Sequence, residues 1–371
     1  MLMSILAVVA ACATAGRGVV YQHTYDLREE RVTIPGARQP LQGVLALPGH
    51  GEGPFGLVVF VHGDGPRGAT GETFYRPIWE SFAAAGYASL SWGKPGINGA
   101  QGNWLDQSMA DRAAETLAAI EWARMRTRID PDRIGLWGAS QAGWVLPEVA
   151  AQDSRLRFMI AVSPAVNWLQ QGRYNTLAEL RERGATRAEV DDALTRREHT
   201  LTLLERAATF PEAEAAGVTG LTANRWRFIQ KNYTADATAD LAQVRIPVLL
   251  ILAEHDLNVD IADTERTYRA QLARPDQLQV RRYSDARHSL VRKSIEDSAV
   301  KPYLIALAAP RKLFAEGFWP TNAASSKTHM PARELASIHQ SRGHPSVTCP
   351  RIRGARSQWA SVELGQAYHE S

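Results

Sequence analysis

The stretch Ile134-Gly135-Leu136-Trp137-Gly138-Ala139-Ser140-Gln141-Ala142-Gly143-Trp144 decides how the chain is read. Arg133 to Trp137 is mostly apolar and follows the turn residues Asp130-Pro131-Asp132, which suits a buried strand. From Trp144, Val145 and Leu146 a run through Pro147 to Ala151 suits a helix. Ser140 falls between them, where the backbone must turn sharply and the side chain is aimed out of the fold. Such a turn brings strand and helix backbones together, so it needs small neighbours. Gly138 and Ala142 stand two positions either side of Ser140, and Gly143 follows. This is the Gly-x-Ser-x-Gly elbow pattern with Ala in the last place, and it marks Ser140 as a candidate nucleophile. Small residues at a tight turn are also common without chemistry, so the rest of the chain has to carry the reading.

Upstream, Gln22 to Ile34 and Leu41 to Leu47 are expected to pair as an antiparallel edge across the turn-rich 48–54. Gly56 to Val61 is a near-continuous apolar run, as in a strand buried on both faces. It stops at the loop His62-Gly63-Asp64-Gly65-Pro66, where an acyl-transfer enzyme would place backbone N–H donors. A helix over Phe74 to Ala84, a strand at Tyr87 to Trp92, a long loop over Gly93 to Trp104 and a helix over Gln107 to Met125 follow. Phe158 to Val162 reads as another buried strand. From Trp168 to about Ala242 the alternation stops and the sequence is polar and helical, as in an inserted cap. It resumes with a strand at Pro247 to Ala253, a helix from Ala262 to Ala273, a strand at Leu278 to Tyr283 and a helix from Val291 to Ala308. The fold class is therefore α/β, a doubly wound and mostly parallel sheet with an inserted helical cap. The expected parts are a leader at 1–16, a core at 17–167 and 243–320, the cap at 168–242, and a polar tail at 321–371 that reads as poorly packed.

Composition narrows the function classes. The chain has 371 residues, 45% hydrophobic and 22% charged, with a net charge of +3. That is a globular balance, and no basic stripe interleaved with aromatics suggests nucleic acid. Leu2 to Ala15 is apolar but too short for a stable membrane span. It ends in Ala13-Thr14-Ala15-Gly16, as a cleavable signal would, although no Lys or Arg precedes Arg17. Val9-Ala10-Ala11-Cys12 also resembles a lipobox, making Cys12 a candidate lipid anchor. A periplasmic or secreted, lipid-anchored or free protein is the expectation, with a cytoplasmic one as the alternative. The two cysteines, Cys12 and Cys349, are too few for a cysteine metal site. His329, His339, His344 and His369 lack ligand spacing.

A serine hydroxyl needs a base to accept its proton and an acid to orient that base. Asp256, in Ala253-Glu254-His255-Asp256-Leu257-Asn258-Val259-Asp260, lies just past the next-to-last strand and is the candidate acid, with Glu254 and Asp260 as rivals. His255 reads as an exposed loop residue. His288, the only histidine in the stretch Ser284-Asp285-Ala286-Arg287-His288-Ser289-Leu290 that follows the last strand, is the candidate base. The order Ser140, Asp256, His288 resembles the α/β-hydrolase superfamily over roughly residues 28 to 318. Ile129-Asp130-Pro131, Arg133 to Trp144 and Trp92-Gly93-Lys94-Pro95-Gly96 resemble esterase-like bacterial members of the dienelactone-hydrolase and serine-aminopeptidase-like group. The resemblance implies a Ser–His–Asp triad and no metal or organic cofactor. It also implies an oxyanion hole from the backbone N–H of Gln141 and one from Gly63 or Asp64. Trp104, Trp144 and Trp168 are candidate pocket walls, Trp144 equally a core residue. The expected reaction is hydrolysis of a small carboxylic ester through an acyl-enzyme on Ser140. Amide or peptide cleavage, acyl transfer to another acceptor, a non-catalytic binding module and a structural envelope role are the alternatives.

Overall fold

A computed structural model describes residues 24–318, apart from 37, 73, 299–300, 302–304 and 306–308. The expected leader at 1–16 with Cys12, and the tail at 321–371 with Cys349, lie outside the described residues.

Eight strands form one sheet: β1 (Leu27–Ile34), β2 (Leu41–Pro48), β3 (Phe55–Val61), β4 (Tyr87–Trp92), β5 (Ile129–Ala139), β6 (Met159–Val162), β7 (Val248–Ala253) and β8 (Leu278–Tyr283). Their order is β1-β2-β4-β3-β5-β6-β7-β8. β1 pairs antiparallel with β2, and β2 with β4, while every later pairing is parallel. The apolar runs follow from burial on both faces. In β3, Leu57, Val59 and Val61 enter one core cluster with Leu136 and Leu250, and Val58 and Phe60 enter the other with Trp137, Ile160 and Ile251. Phe60 stacks on Trp137 with ring centroids 4.8 Å apart.

Helices cover both faces. α1 (Tyr75–Ala83) and α10 (Lys293–Glu296) pack on the Phe60 side through Trp79, Phe82 and Ile295. α2 (Met109–Arg124), α3 (Leu146–Gln152) and α9 (Ile261–Gln271) pack on the other. Ser108 and Asp111 close a reciprocal capping box at the start of α2. Between β6 and β7 the chain forms α4 (Trp168–Glu182), α5 (Arg187–Glu205), α6 (Phe210–Ala215), α7 (Ala223–Asn232) and α8 (Thr238–Leu241). The two ends of this helical segment are tied together. Trp168 N–H donates to the Ala235 carbonyl, Ala237 N–H donates to the Val166 carbonyl, and the Asn167 amide donates to Asp236 at 2.9 Å. Trp226 and Phe228 of α7 join the core beneath.

Two expected helices are corrected. The helix after Ser140 does not run straight from Trp144: a 3₁₀ turn spans Ser140–Trp144, Val145 N–H donates back to the Ala142 carbonyl, and α3 begins at Leu146. The helix expected from Val291 to Ala308 starts later, with one turn at Lys293–Glu296, and among the described residues further on Lys301 and Ile305 are helical. Val291 and Arg292 instead bridge to Phe314 and Ala286. The Val291 carbonyl accepts from Arg287 N–H, and Arg292 N–H donates to the Leu313 carbonyl. Backbone groups committed across a loop cannot serve the first turn of a helix.

The turn after β5 sets the tightest packing. A Cβ on Gly143 would lie 2.2 Å from the Ala165 carbonyl oxygen and 2.6 Å from its nitrogen. Gly143→Ala is therefore expected to destabilise the fold by about 3 kcal/mol or more, since backbone cannot move aside as a side chain can. Urea unfolding of the variant beside wild type measures this loss.

Candidate active site

Ser140, the residue just after β5, has φ of 54°. That left-handed backbone is disfavoured for a residue with a Cβ and persists only where the surroundings impose it. The surroundings here are two close approaches. A Cβ on Gly138 would meet the Ala142 Cβ at 2.7 Å and the Val61 carbonyl oxygen at 2.9 Å. Ala142 is tolerated in the elbow because its methyl fills the space that Gly138 leaves. On the far side, Ala165 N–H donates to the Ser140 carbonyl at 3.0 Å.

The loop leaving β3 lies directly over this turn. A Cβ on Gly63 would sit 3.2 Å from the Ala139 carbonyl oxygen and 3.4 Å from the Ser140 Cβ. Polar side chains from four elements hold the loop there. Arg112 of α2, only 6% exposed, donates one Nη to the His62 carbonyl and the other to Gln141 Oε1, both at 2.5 Å. Lys94, 3% exposed, donates Nζ to the Gly63 carbonyl at 2.7 Å and lies 4.6 Å over the Trp104 ring. Gln141 Nε2 donates to Asp64 at 2.8 Å, and Arg225 of α7 grips the same carboxylate at 3.1 and 2.8 Å. Burial raises the Asp64 carboxyl, but the Arg225 guanidinium outweighs it and brings the pKa down to about 2. Burial pushes Lys94 well below the usual lysine range, with the Arg112 charge adding to the fall. His62 is taken down to about 3 by burial. It is a neutral structural imidazole: Nε2–H donates to the Trp92 carbonyl and Nδ1 accepts from the Tyr75 hydroxyl at 2.9 Å.

Across the sheet, Asp256 and His288 meet. Asp256 Oδ1 accepts from the N–H groups of Asn258 and Val259 at 2.8 and 2.9 Å, which leaves Oδ2 for His288 Nδ1 at 2.8 Å. The carboxylate can only accept, so the proton sits on Nδ1 and Nε2 is left with its lone pair. His255 N–H donates to the Ala286 carbonyl and Leu290 N–H to the Arg287 carbonyl, fixing the loop that carries His288. Burial works against a charged His288, but the charge of Asp256, the hydrogen bond to it and the more distant Glu296 together raise the pKa above the ordinary value. Ser140, the 62–64 loop, Asp256 and His288 all follow the C-terminal ends of parallel strands, where open α/β sheets gather reactive groups.

Residues 24–286 match the sequence profile of the X-Pro dipeptidyl-peptidase (S15) family. The chain belongs to this family. Its sheet and helices have the α/β-hydrolase fold. An esterase from Pyrobaculum calidifontis superposes with a TM-score of 0.52 at 18% identity, covering 88% of this chain and 90% of that one. The acylaminoacyl peptidase of Pyrococcus horikoshii gives 0.51 at 15% identity over 84% of this chain and 46% of its own. At such identities they speak for the fold alone. The quorum-quenching protein AidA of Acinetobacter baumannii is 32% identical over 111 residues, 29% of this chain and 35% of that protein. The uncharacterized peptidase YuxL of Bacillus subtilis is 26% identical over 161 residues, 40% of this chain and 24% of that one. The chain thus spans about a quarter to a third of the length of the curated relatives it matches.

Within this family member, the rival acids are engaged elsewhere. Glu254 pairs with Arg282 at 3.3 Å, and Asp260 caps α9 by accepting from Ala262 and Asp263 N–H. His255 is exposed. Of the three candidate pocket tryptophans, Trp144 and Trp168 are buried and stack 4.8 Å apart, and Trp144 Nε1 donates to the Val166 carbonyl. Trp104 is half-buried, edge-on to Phe228 and beneath Lys94 and Arg225. A cleft of about 290 Å³ opens instead between α4 and the loop after β7, lined by Tyr174, Leu177, Val259 and Asp260 among others. Tyr174, one of the residues lining it, donates its hydroxyl to the Asp256 carbonyl at 2.9 Å. Among the described residues no three metal-ligating side chains come together, and no helix is long and apolar enough to cross a membrane. Sequence reading missed Lys94, Arg112 and Arg225. Arg112 carries a signal, since a charged residue beside Met109 and Ala113 sits on the apolar face of its helix.

The His288 pair has a definite pH signature. Because its folded-state pKa is raised, the pair stabilises the fold fully below the unfolded value of about 6.5, and this contribution is lost as pH rises through the folded value. NMR titration is expected to place the His288 imidazole above 6.5 in wild type and to show a clear fall in Asp256→Asn, where burial is no longer outweighed. An unmoved titration in the variant contradicts the assigned coupling.

Proposed function

We propose that the protein hydrolyses small carboxylic esters through an acyl-enzyme on Ser140. His288 Nε2 accepts the serine proton as Oγ attacks the carbonyl, and Asp256 holds the imidazole and stabilises its charged form. The N–H of Gln141 and that of Gly63 or Asp64 receive the oxyanion. An alcohol leaves with the proton from His288, water repeats the sequence on the acyl-enzyme, and the acid departs. The observation that carries the reading is Ser140 held at φ 54° beneath the Gly63 backbone, on the same C-terminal sheet edge as an Asp256–His288 pair bonded through Nδ1.

The preference for an ester rests on charge. Lys94, Arg112 and Arg225 surround the 62–64 loop, and its one carboxylate, Asp64, is neutralised by Arg225. That setting suits a neutral or anionic acyl group better than a protonated peptide amine. Peptide cleavage is the second reading, favoured by the X-Pro dipeptidyl-peptidase family itself. On either reading the α4–α8 segment serves as a lid that limits substrate size.

A matched pair, p-nitrophenyl ester and p-nitroanilide of one short acyl group, separates the two readings. The account expects ester turnover with much slower anilide turnover, both lost by roughly 10⁴-fold or more in Ser140→Ala. Faster anilide cleavage overturns the ester reading, and activity retained in Ser140→Ala overturns the nucleophile.

A further inference from the structure

We propose that Arg112 and Lys94 are positioning residues that orient and polarise the two peptide groups of the oxyanion loop. The proposal rests on the acyl-transfer reading above and names what makes its oxyanion site strong.

The peptide joining His62 to Gly63 has the His62 carbonyl at one end and the Gly63 N–H at the other. The next peptide has the Gly63 carbonyl and the Asp64 N–H. Each carbonyl is held by its own buried side-chain donor: His62 O by Arg112 Nη2, and Gly63 O by Lys94 Nζ. In a planar trans peptide the carbonyl and the N–H point in opposite directions. Fixing the oxygen therefore fixes the direction of the N–H. A donor on the oxygen, a charged one most of all, also draws electron density from the amide, which makes the N–H a stronger donor. Hydrogen-bonded chains polarise one another by about 10–30% per bond in neutral systems, and a charged donor is stronger than a neutral one. The low dielectric around residues 3% and 6% exposed preserves the effect.

Arg112 also reaches the third donor. Arg112 Nη1 binds Gln141 Oε1, Gln141 Nε2 binds Asp64, and Asp64 is gripped by Arg225 from α7. The backbone that supplies the Gln141 N–H is thereby tied to the loop that supplies the others. The guanidiniums of Arg112 and Arg225 stand beside the carboxylates of Asp64 and Glu115, and burial raises the Glu115 pKa, so their positive charge is incompletely balanced. Negative charge developing on a substrate oxygen improves this balance, whereas a neutral bound ester does not. That difference between transition state and ground state is what accelerates a reaction.

The test compares Lys94→Met, Arg112→Met and Arg112→Lys on p-nitrophenyl butyrate. It also measures inhibition by trifluoromethyl propyl ketone, which forms a tetrahedral oxyanion on the serine, and by the corresponding secondary alcohol, which cannot. Lys94→Met is expected to lose on the order of 10–100-fold in kcat with little change in KM, less than the loss from deleting an oxyanion donor outright. Ketone affinity should fall by a similar factor and alcohol affinity should hold. Arg112→Lys keeps the charge and a donor, so it should retain more activity than Arg112→Met even where the latter folds poorly. Full kcat in Lys94→Met overturns the proposal while leaving the serine-hydrolase reading intact. So does a parallel fall in ketone and alcohol affinity, which marks a deformed pocket. Wild type without Ser140-dependent hydrolysis overturns both.

Discussion

The close approach of backbone to backbone around Ser140 is the constraint on which the rest of the molecule depends. β5 must end against Val61 on one side and turn against Ala165 on the other. Only glycine at 138 and 143 lets it do so, and the residue between is driven to positive φ. The sheet explains why that conformation survives. β3 and β6 flank β5 in parallel register, so both walls of the turn are themselves locked by ladders and by side chains buried on both faces. A strained residue of this kind costs about 1–3 kcal/mol, small beside the burial that enforces it.

A second constraint follows from the first. The loop over the elbow is glycine-rich and has little apolar surface of its own, so polar groups hold it in place. Placing Arg112 and Lys94 in the interior is costly unless their donors are satisfied. The carbonyls of His62 and Gly63 and the side chain of Gln141 satisfy them. Asp64 and Arg225 then join the loop to α7, on a helix more than a hundred residues further along the chain. Removing one member of such a network typically costs about 3–5 kcal/mol, because a charge is left buried without its partner. The helices between β6 and β7 are consequently part of the same packed unit as the elbow, through Arg225, Trp226 and Phe228 together.

Much of this was legible in the sequence, for identifiable reasons. β3, β6 and β7 announce themselves as apolar runs because they are buried on both sides. Ser140 is marked by its small neighbours. Asp256 and His288 are marked by falling just after the last two strands, and the structure joins them by a 2.8 Å hydrogen bond. The start of the helix after His288 differs from the expectation because Val291 looks like the first residue of an apolar helix. It lies instead between the left-handed Leu290, at φ 59°, and a bridge to Phe314, a pairing set by residues more than twenty positions away. Arg225 could not be found by any local rule. It sits in an ordinary polar helix, and its partner is set by tertiary packing. Lys94 looks like a solvated loop cation until the Gly63 carbonyl is seen beside it.

The central claim is that this geometry exists to make Ser140 an activated nucleophile. Its most direct measurement is mass-spectrometric mapping of the adduct formed with a fluorophosphonate probe, in wild type and in His288→Ala. The account predicts one adduct, on Ser140, formed much more slowly when His288 is absent. An adduct on another residue, or labelling of Ser140 at an unchanged rate without His288, would contradict it.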